Sequence, residues 1–481
     1  MEIRDVPLTF STQKRSRPKY VLLYLVLNLA ALFFARQVFA GEVTLETFLR
    51  PTPTPTRAPR SWIEEARALF EAGDLDGAAE AYRAALQIRP NDGMLWAELA
   101  RVLVYSSALM TNDAKRQTRL QEAVAAGDRA VELAPDAAIT HAVRAFALDW
   151  LALNPLVPPD QQDALLAQAE NEAMLALRLA PRDPLVVAFY AEILLDQQNI
   201  VQAYEHAAQA VRDGPDLMDT HRVYALVLES NGRYASAIEE YQEAIRRAPN
   251  LTFLYLRVGF NYRFLASKAQ SDAARNQYYN LALEYFDKAA RINQRLGIPD
   301  PVPYLAISKT YMQKGDFFYA ARNAEKALWL DPTDPATYAQ LAVIYVKSRN
   351  YEGSLPAFQC AVKGCGPEIS GQILGEIAVK MGLDEDTVPA VTVEPLPLTN
   401  ITVAYYYLQY ASVLAALNIC DQALPLLDRV ESAFGTDPNI RDIIAENRNI
   451  CRILQSTPTP RPTPTPVPTP STPVSGAGPG P

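Results

Sequence analysis

The stretch from Pro59 to Asp92, PRSWIEEARALFEAGDLDGAAEAYRAALQIRPND, decides how this chain folds. Its apolar residues Trp62, Leu69 and Phe70, then Ala78, Tyr82, Ala85 and Leu86, recur at helical spacing on either side of Gly73-Asp74. The pattern predicts two short antiparallel helices. Small residues at Ala66, Ala78 and Ala85 let the backbones approach closely, Trp62 and Tyr82 fill the space between them, and Pro90 stops the second helix.

The unit recurs. Pro181, Pro215 and Pro249 stand 34 residues apart, as do Ala176, Ala210 and Ala244, and Ala191, Ala225 and Gly259. The column that begins at Ala85 continues through Ala130, Ala176, Ala210, Ala244, Ala289, Ala327 and Ala361, with Val430 in a weaker last copy. That makes about nine hairpins, each burying its apolar face on its neighbours. The set Trp62, Ala66, Gly73, Ala78, Tyr82, Ala85 and Pro90 resembles the tetratricopeptide repeat, and with the N-terminal features below the chain is similar to a bacterial, membrane-anchored type. The resemblance implies an all-α fold, a right-handed superhelix of helical hairpins, with the first helix of each hairpin lining a concave face that takes peptides. Mapped on this chain, it puts Phe146, Trp150, Leu195, Leu226, Phe260, Arg263 and Phe264 on or near the groove, whose floor should be more apolar than charged. The Lys/Asn/Arg set by which chaperone-binding relatives clamp a terminal carboxylate is not reproduced.

The chain has 481 residues, 49% hydrophobic and 21% charged, with a formal charge of -9. An acidic solenoid is a poor binder of nucleic acid through its phosphates. The basic run from Lys14 to Lys19 precedes YVLLYLVLNLAALFFARQVFA, which has the length of a bilayer-spanning helix. The division expected is a cytoplasmic tail 1–19, a transmembrane anchor 20–40 and a Thr/Pro linker 41–58. Repeats one to eight follow over 59–368, then an interrupting segment 369–400, a last hairpin with a capping helix over 401–455, and a Thr/Pro-rich disordered tail 456–481. The rival reading of the N-terminus is a cleaved signal peptide with Val38-Phe39-Ala40 at its end. Second, third and sixth copies carry about eleven or twelve extra residues between their helices.

Enzyme signatures are missing: there is no H-E-x-x-H, phosphate-loop or G-x-S-x-G pattern, so neither catalysis nor a cofactor is expected. His141 and His221 stand where the repeat has a large aromatic, which points to packing. The spacing of Cys360, Cys365, Cys420 and Cys451 does not suit zinc, and an exported chain favours oxidation. Packing the cap on the last hairpin should bring Cys420 to Cys451, and Cys360 can reach Cys365 if Gly364 breaks the helix. The function expected is a membrane-anchored, extracytoplasmic scaffold that binds a protein or peptide on its concave face. The alternatives are an accessory of an envelope machine that exports or assembles polysaccharide or pili, and an enzyme with an unrecognised site.

Overall fold

The computed structural model describes residues 18–39, 58–110, 112–384, 388–389 and 391–456. The N-terminal tail before Pro18, the Thr/Pro linker through Arg57 and the tail from Thr457 lie outside the described residues. The chain divides into two compact units, 1–58 and 59–481.

In the first unit, α1 runs Pro18–Phe39, and its large apolar side chains between Tyr20 and Phe33 are exposed. Asn28 satisfies its amide on the Tyr24 carbonyl at 2.8 Å. Among the described residues no helix is long and apolar enough to cross a membrane; the described side chains of α1 run unbroken only over residues 18–33.

The second unit is a series of helical hairpins without a strand among its described residues. The first three are α2 (Pro59–Ala72) with α3 (Leu75–Ile88), α4 (Gly93–Ser107) with α5 (Asp113–Leu133), and α6 (Ala138–Ala152) with α7 (Pro159–Leu179). Then come α8 (Pro184–Asp196) with α9 (Ile200–Asp213), α10 (Met218–Ser230) with α11 (Tyr234–Arg247), and α12 (Thr252–Lys268) with α13 (Asp272–Leu296). The seventh and eighth are α14 (Val302–Lys314) with α15 (Phe317–Leu330), and α16 (Pro335–Lys347) with α17 (Tyr351–Val362). A lone helix, α18 (Pro367–Met381), precedes the ninth hairpin, α19 (Ile401–Ala416) with α20 (Cys420–Phe434), and α21 (Pro438–Ser456) closes the stack.

Two local devices repeat. The alanine column is fully buried from Ala85 to Ala361, because only a methyl fits where two helix backbones meet. At Gly259 even a methyl is too much: an added Cβ would overlap the Phe286 ring. The second device ties five of the first helices to the loop before them. Trp96 donates its indole N–H to the Pro90 carbonyl at 2.9 Å, and the hydroxyls of Tyr255 and Tyr338 reach the carbonyls of Pro249 and Pro332 at 2.8 and 3.1 Å. His141 and His221 do the same through Nε2, each 2.8 Å from the carbonyl of Pro135 or Pro215. Their Nδ1 atoms face Glu172 and Glu240 on the partner helices. These histidines are structural stand-ins for the aromatic.

The extra residues of the second, third and sixth copies do not form loops alone. They mostly lengthen the second helix, to 21 residues in α5 and α7 and 25 in α13, against 14 in α3. In the interrupting segment α17 stops at Val362 and Gly364 takes φ +77°, a conformation in which a side chain would be strained and would also meet Val393 and Pro395. Cys365 then exchanges two backbone hydrogen bonds with Val393, at 3.0 and 2.9 Å, and Leu396 N–H reaches the Ala361 carbonyl at 2.8 Å. The proline-rich run from Val391 is therefore an extended cover over the end of α17. Cys360 is bonded to Cys365, with Cα atoms 4.6 Å apart, and Cys420 to Cys451, with Cα atoms 5.6 Å apart.

Gly259→Ala should destabilise the sixth hairpin by about 1 to 3 kcal/mol, since Phe286 has to leave its rotamer or move its helix. Melting followed by circular dichroism, beside exposed Glu239→Gln as a neutral control, checks this; equal curves would put the helix contact elsewhere. For the cap, replacing both Cys420 and Cys451 by Ser frees a loop spanning a sequence separation of 31 residues. Loop closure of this size is worth about 3 to 4 kcal/mol. Amide exchange should rise in α21 while α2 to α11 stay protected.

Candidate functional site

Five successive first helices, α4, α6, α8, α10 and α12, converge on one axis. Tyr105 of α4 stands at the centre, its ring stacked on Phe253 of α12 at 5.6 Å and set 5.5 Å from Phe146 of α6. Phe146 stacks in turn on Phe189 of α8 at 4.3 Å. At the outer edge the turn between α2 and α3 meets the loop before α12. Asn250 donates from its amide to the Glu71 carbonyl at 3.0 Å, and Gly73, at φ +84°, lies so close to Asn250 that a side chain there would clash. Hairpins one to six thus form a closed turn.

Its interior is polar as well as aromatic. Arg222 of α10 donates both terminal nitrogens to the two carboxylate oxygens of Glu192 on α8, and its Nε to the Tyr105 hydroxyl at 3.2 Å. The Tyr105 hydroxyl donates to Asp219, which also takes Arg101 at 3.2 Å. Trp150 adds its indole N–H to Glu192 at 3.1 Å. Four of these side chains, Tyr105, Glu192, Asp219 and Arg222, are buried. Each charge among them has a counter-charge, as burial demands. Asp149 lies beside them, fully buried, with no hydrogen-bond donor on either oxygen. Burial and the nearby carboxylates of Asp196 and Glu192 hold its carboxyl well above the usual range. Asp196 is pushed up to about 6, by burial and then by Glu192.

Two clefts open from this axis. The first, of about 260 Å³, has Trp150, Glu192, Asp196, Arg222, Leu226 and Arg257 in its wall. The second, of about 590 Å³, lies between α12 and α14 and is lined by Phe260, Arg263, Phe264, Lys309, Gln313 and Gln340.

Of the residues mapped to a groove, Trp150 and Leu226 line the first cleft, and Phe260, Arg263 and Phe264 the second. Phe146 and Leu195 are corrected to the core, where they are 0% and 5% exposed. Both sit on first helices, but the closed turn presses those helices onto one another and leaves no open floor at these positions. In hairpins two to five ion pairs share the axis with the aromatic rings. Arg101, Asp149, Glu192, Asp219 and Arg222 were not anticipated. A signal was present in Asp149 and Glu192, single acids inside the otherwise apolar helices AITHAVRAFALDWLA and PLVVAFYAEILLD. Among the described residues no group of acids, histidines and cysteines could hold a metal.

Family models described as tetratricopeptide repeat match residues 59–102 and 190–252. The chain carries tetratricopeptide repeats. Over 163 residues it is 23% identical to the BBSome complex member BBS4 homolog of Drosophila melanogaster, a match covering 33% of this chain and 32% of that protein. It therefore spans about a third of that relative's length. Among solved structures, the human IFIT1 dimer with PPP-AAAA is similar at 15% identity and TM-score 0.49, over 83% of this chain and 84% of that one. A thermophilic tetratricopeptide protein of Thermus thermophilus is similar at 20% identity and TM-score 0.35, over 42% of this chain and 98% of that one.

Arg222→Met should cost about 3 to 5 kcal/mol in urea unfolding, because Glu192 is left buried without its partner. Adding Glu192→Leu should recover much of the loss; no recovery would mean that the pair is not what Arg222 supports. The Asp196 carboxyl binds its proton more tightly folded than unfolded, from an ordinary 3.8 up to about 6. Its stabilising contribution is complete below 3.8 and is lost as pH rises through about 6, so stability should fall over that window. Asp196→Asn should flatten this part of the melting-temperature profile, and an unchanged profile would assign the slope to other groups.

Proposed function

We propose that this chain is a non-enzymatic tetratricopeptide scaffold that captures a protein partner on the inner face of its later hairpins, and that α1 holds it at a membrane with the solenoid on the non-cytoplasmic side. Repeats of this kind serve protein–protein interaction, and the inner face from α12 to α16 keeps an open cleft with half-buried Phe260 and exposed Phe264 available as anchors. The observation that carries the extracytoplasmic reading is the pairing of the four cysteines, Cys360 with Cys365 and Cys420 with Cys451. Structural disulfides persist where no reducing pool maintains thiols.

The membrane reading draws support from α1. Its large apolar side chains from Tyr20 to Phe33 are exposed, with no packing partner within the described first unit. The cations from Lys14 to Lys19 flank one end only, which favours keeping that end in the cytoplasm.

Protease added to cells with a permeabilised outer layer should digest the solenoid and spare an N-terminal tag; a protected solenoid would reverse the topology. For the binding face, Phe264→Ala should weaken capture of a cross-linked partner, with a loss of about 2 kcal/mol at an anchor position, while melting stays unchanged. Trp150→Ala should lower both, since its indole also holds Glu192. Full capture by Phe264→Ala would move the binding face away from the second cleft.

A further inference from the structure

The cleft between α12 and α14 contains charge that the fold does not balance. Arg263 projects from α12 with its guanidinium 5.8 Å from the centre of the Phe260 ring, and its buried Nε has no hydrogen-bond partner. Lys309 projects from α14 into the same cleft. Neither side chain has an ion pair among the described residues. The acid of the cleft, Glu229, cannot serve them: one of its oxygens takes Arg257 at 3.1 Å, and the other takes the Tyr241 hydroxyl at 3.0 Å and the Asn261 amide at 2.8 Å.

Elsewhere in the solenoid the half-buried and buried arginines are matched. Arg101, Arg144 and Arg222 each meet at least one carboxylate. Arg263 and Lys309 instead line one cleft without a carboxylate partner of their own. Burial and then Arg263 lower the proton affinity of Lys309, and burial lowers that of Arg263. Two cations lining one cleft, Arg263 half-buried and Lys309 exposed, whose one acid is already engaged by other partners, gain a counter-charge when an anion arrives from outside.

The rest of the lining limits what carries that anion. Phe260, Phe264, Val302 and Leu305 form an apolar wall beside the cations, Gln313 adds an amide for the backbone of an extended chain, and Gln340 donates its amide to the Leu305 carbonyl at 3.5 Å. A cavity of about 590 Å³ has the volume of a site for a few side chains. A nucleic-acid strand needs a row of cations along its phosphates, whereas this cleft has two unpaired cations beside Arg257, which Glu229 neutralises, on a chain of net charge -9. Building on the scaffold reading above, we propose that the Arg263–Lys309 cleft recognises a side-chain carboxylate of a partner protein, carried on an extended segment next to an aromatic or large aliphatic residue.

The test uses the full chain in detergent and short fluorescent peptides in which Asp alternates with Phe or Leu, beside the same peptides with Asn for Asp. Fluorescence anisotropy should show the Asp peptide binding about tenfold or more tightly than its Asn counterpart, with the preference shrinking as salt rises. The double variant Arg263→Gln with Lys309→Gln should erase the preference, and Phe264→Ala should weaken both peptides. Neither cation makes an ion pair in the fold, so melting should show the double variant intact. Equal binding of the two peptides overturns the proposal, as does no binding of either, or an Asp preference that survives in the double variant. Stronger displacement of the peptide by short oligothymidylate than by free Asp peptide would assign the cations to phosphate instead, which also overturns it. The scaffold reading fails separately: it falls if wild type cross-links no protein partner, and it stands without this cleft if the double variant cross-links its partner at wild-type level.

Discussion

The closed turn of the first six hairpins depends on the ion-paired axis around Arg222. That residue joins Glu192 and Tyr105, and Tyr105 joins Asp219, so three first helices are tied by directional bonds. Helix packing between small residues is permissive about the angle at which hairpins stack, because an alanine surface is nearly smooth. Hydrogen bonds at fixed geometry are not. Buried ion pairs gain little net stability over well-packed apolar residues, since desolvation opposes their attraction. Their effect here is to select one curvature, tight enough to bring the α2–α3 turn against Asn250 and to stack Tyr105 on Phe253.

Closing the first turn moves the candidate binding surface along the chain. In an open superhelix the aromatic residues of α6 and α8 would line the groove. Here Phe146 and Phe189 spend their faces on each other. The larger of the two clefts opens between α12 and α14, which α13, of 25 residues, and the loop through Gly297 connect. Its cations face a gap that the regular packing of the earlier hairpins does not leave.

Much of this architecture was legible in the sequence, and the parts that were not share a cause. Hairpins, columns and stops rest on contacts between residues close in the chain, so Ala85, Pro90 and their repeats announce them. The helix break at Gly364 is local too, and so is the extended conformation that its prolines favour in the run from Val391. By contrast, the stacking of Tyr105 on Phe253 links residues far apart, and depends on curvature accumulated over several repeats. No periodicity reports that sum. Phe146 and Leu195 were therefore assigned to a groove by helix face alone, while Phe260, Arg263 and Phe264 line the second cleft. The lone acids Asp149 and Glu192 in apolar helices were the available warning that the axis was not an open floor.

The two ends of the solenoid meet the shared problem of an unpaired face by different means. At the start, α2 and α3 have the loop at Asn250 as an additional neighbour, because the turn closes back on them. Among the described residues the far end has no such return. A terminal unit in a linear array is stabilised from one side only, and it opens most readily. There the chain places both its disulfides, one pinning the α17 end beneath the extended run from Val391 and one pinning α21 to α20. Covalent closure thus stands where curvature does not supply a neighbour, and the second cleft lies between the two ends, where the closed turn passes into the later hairpins.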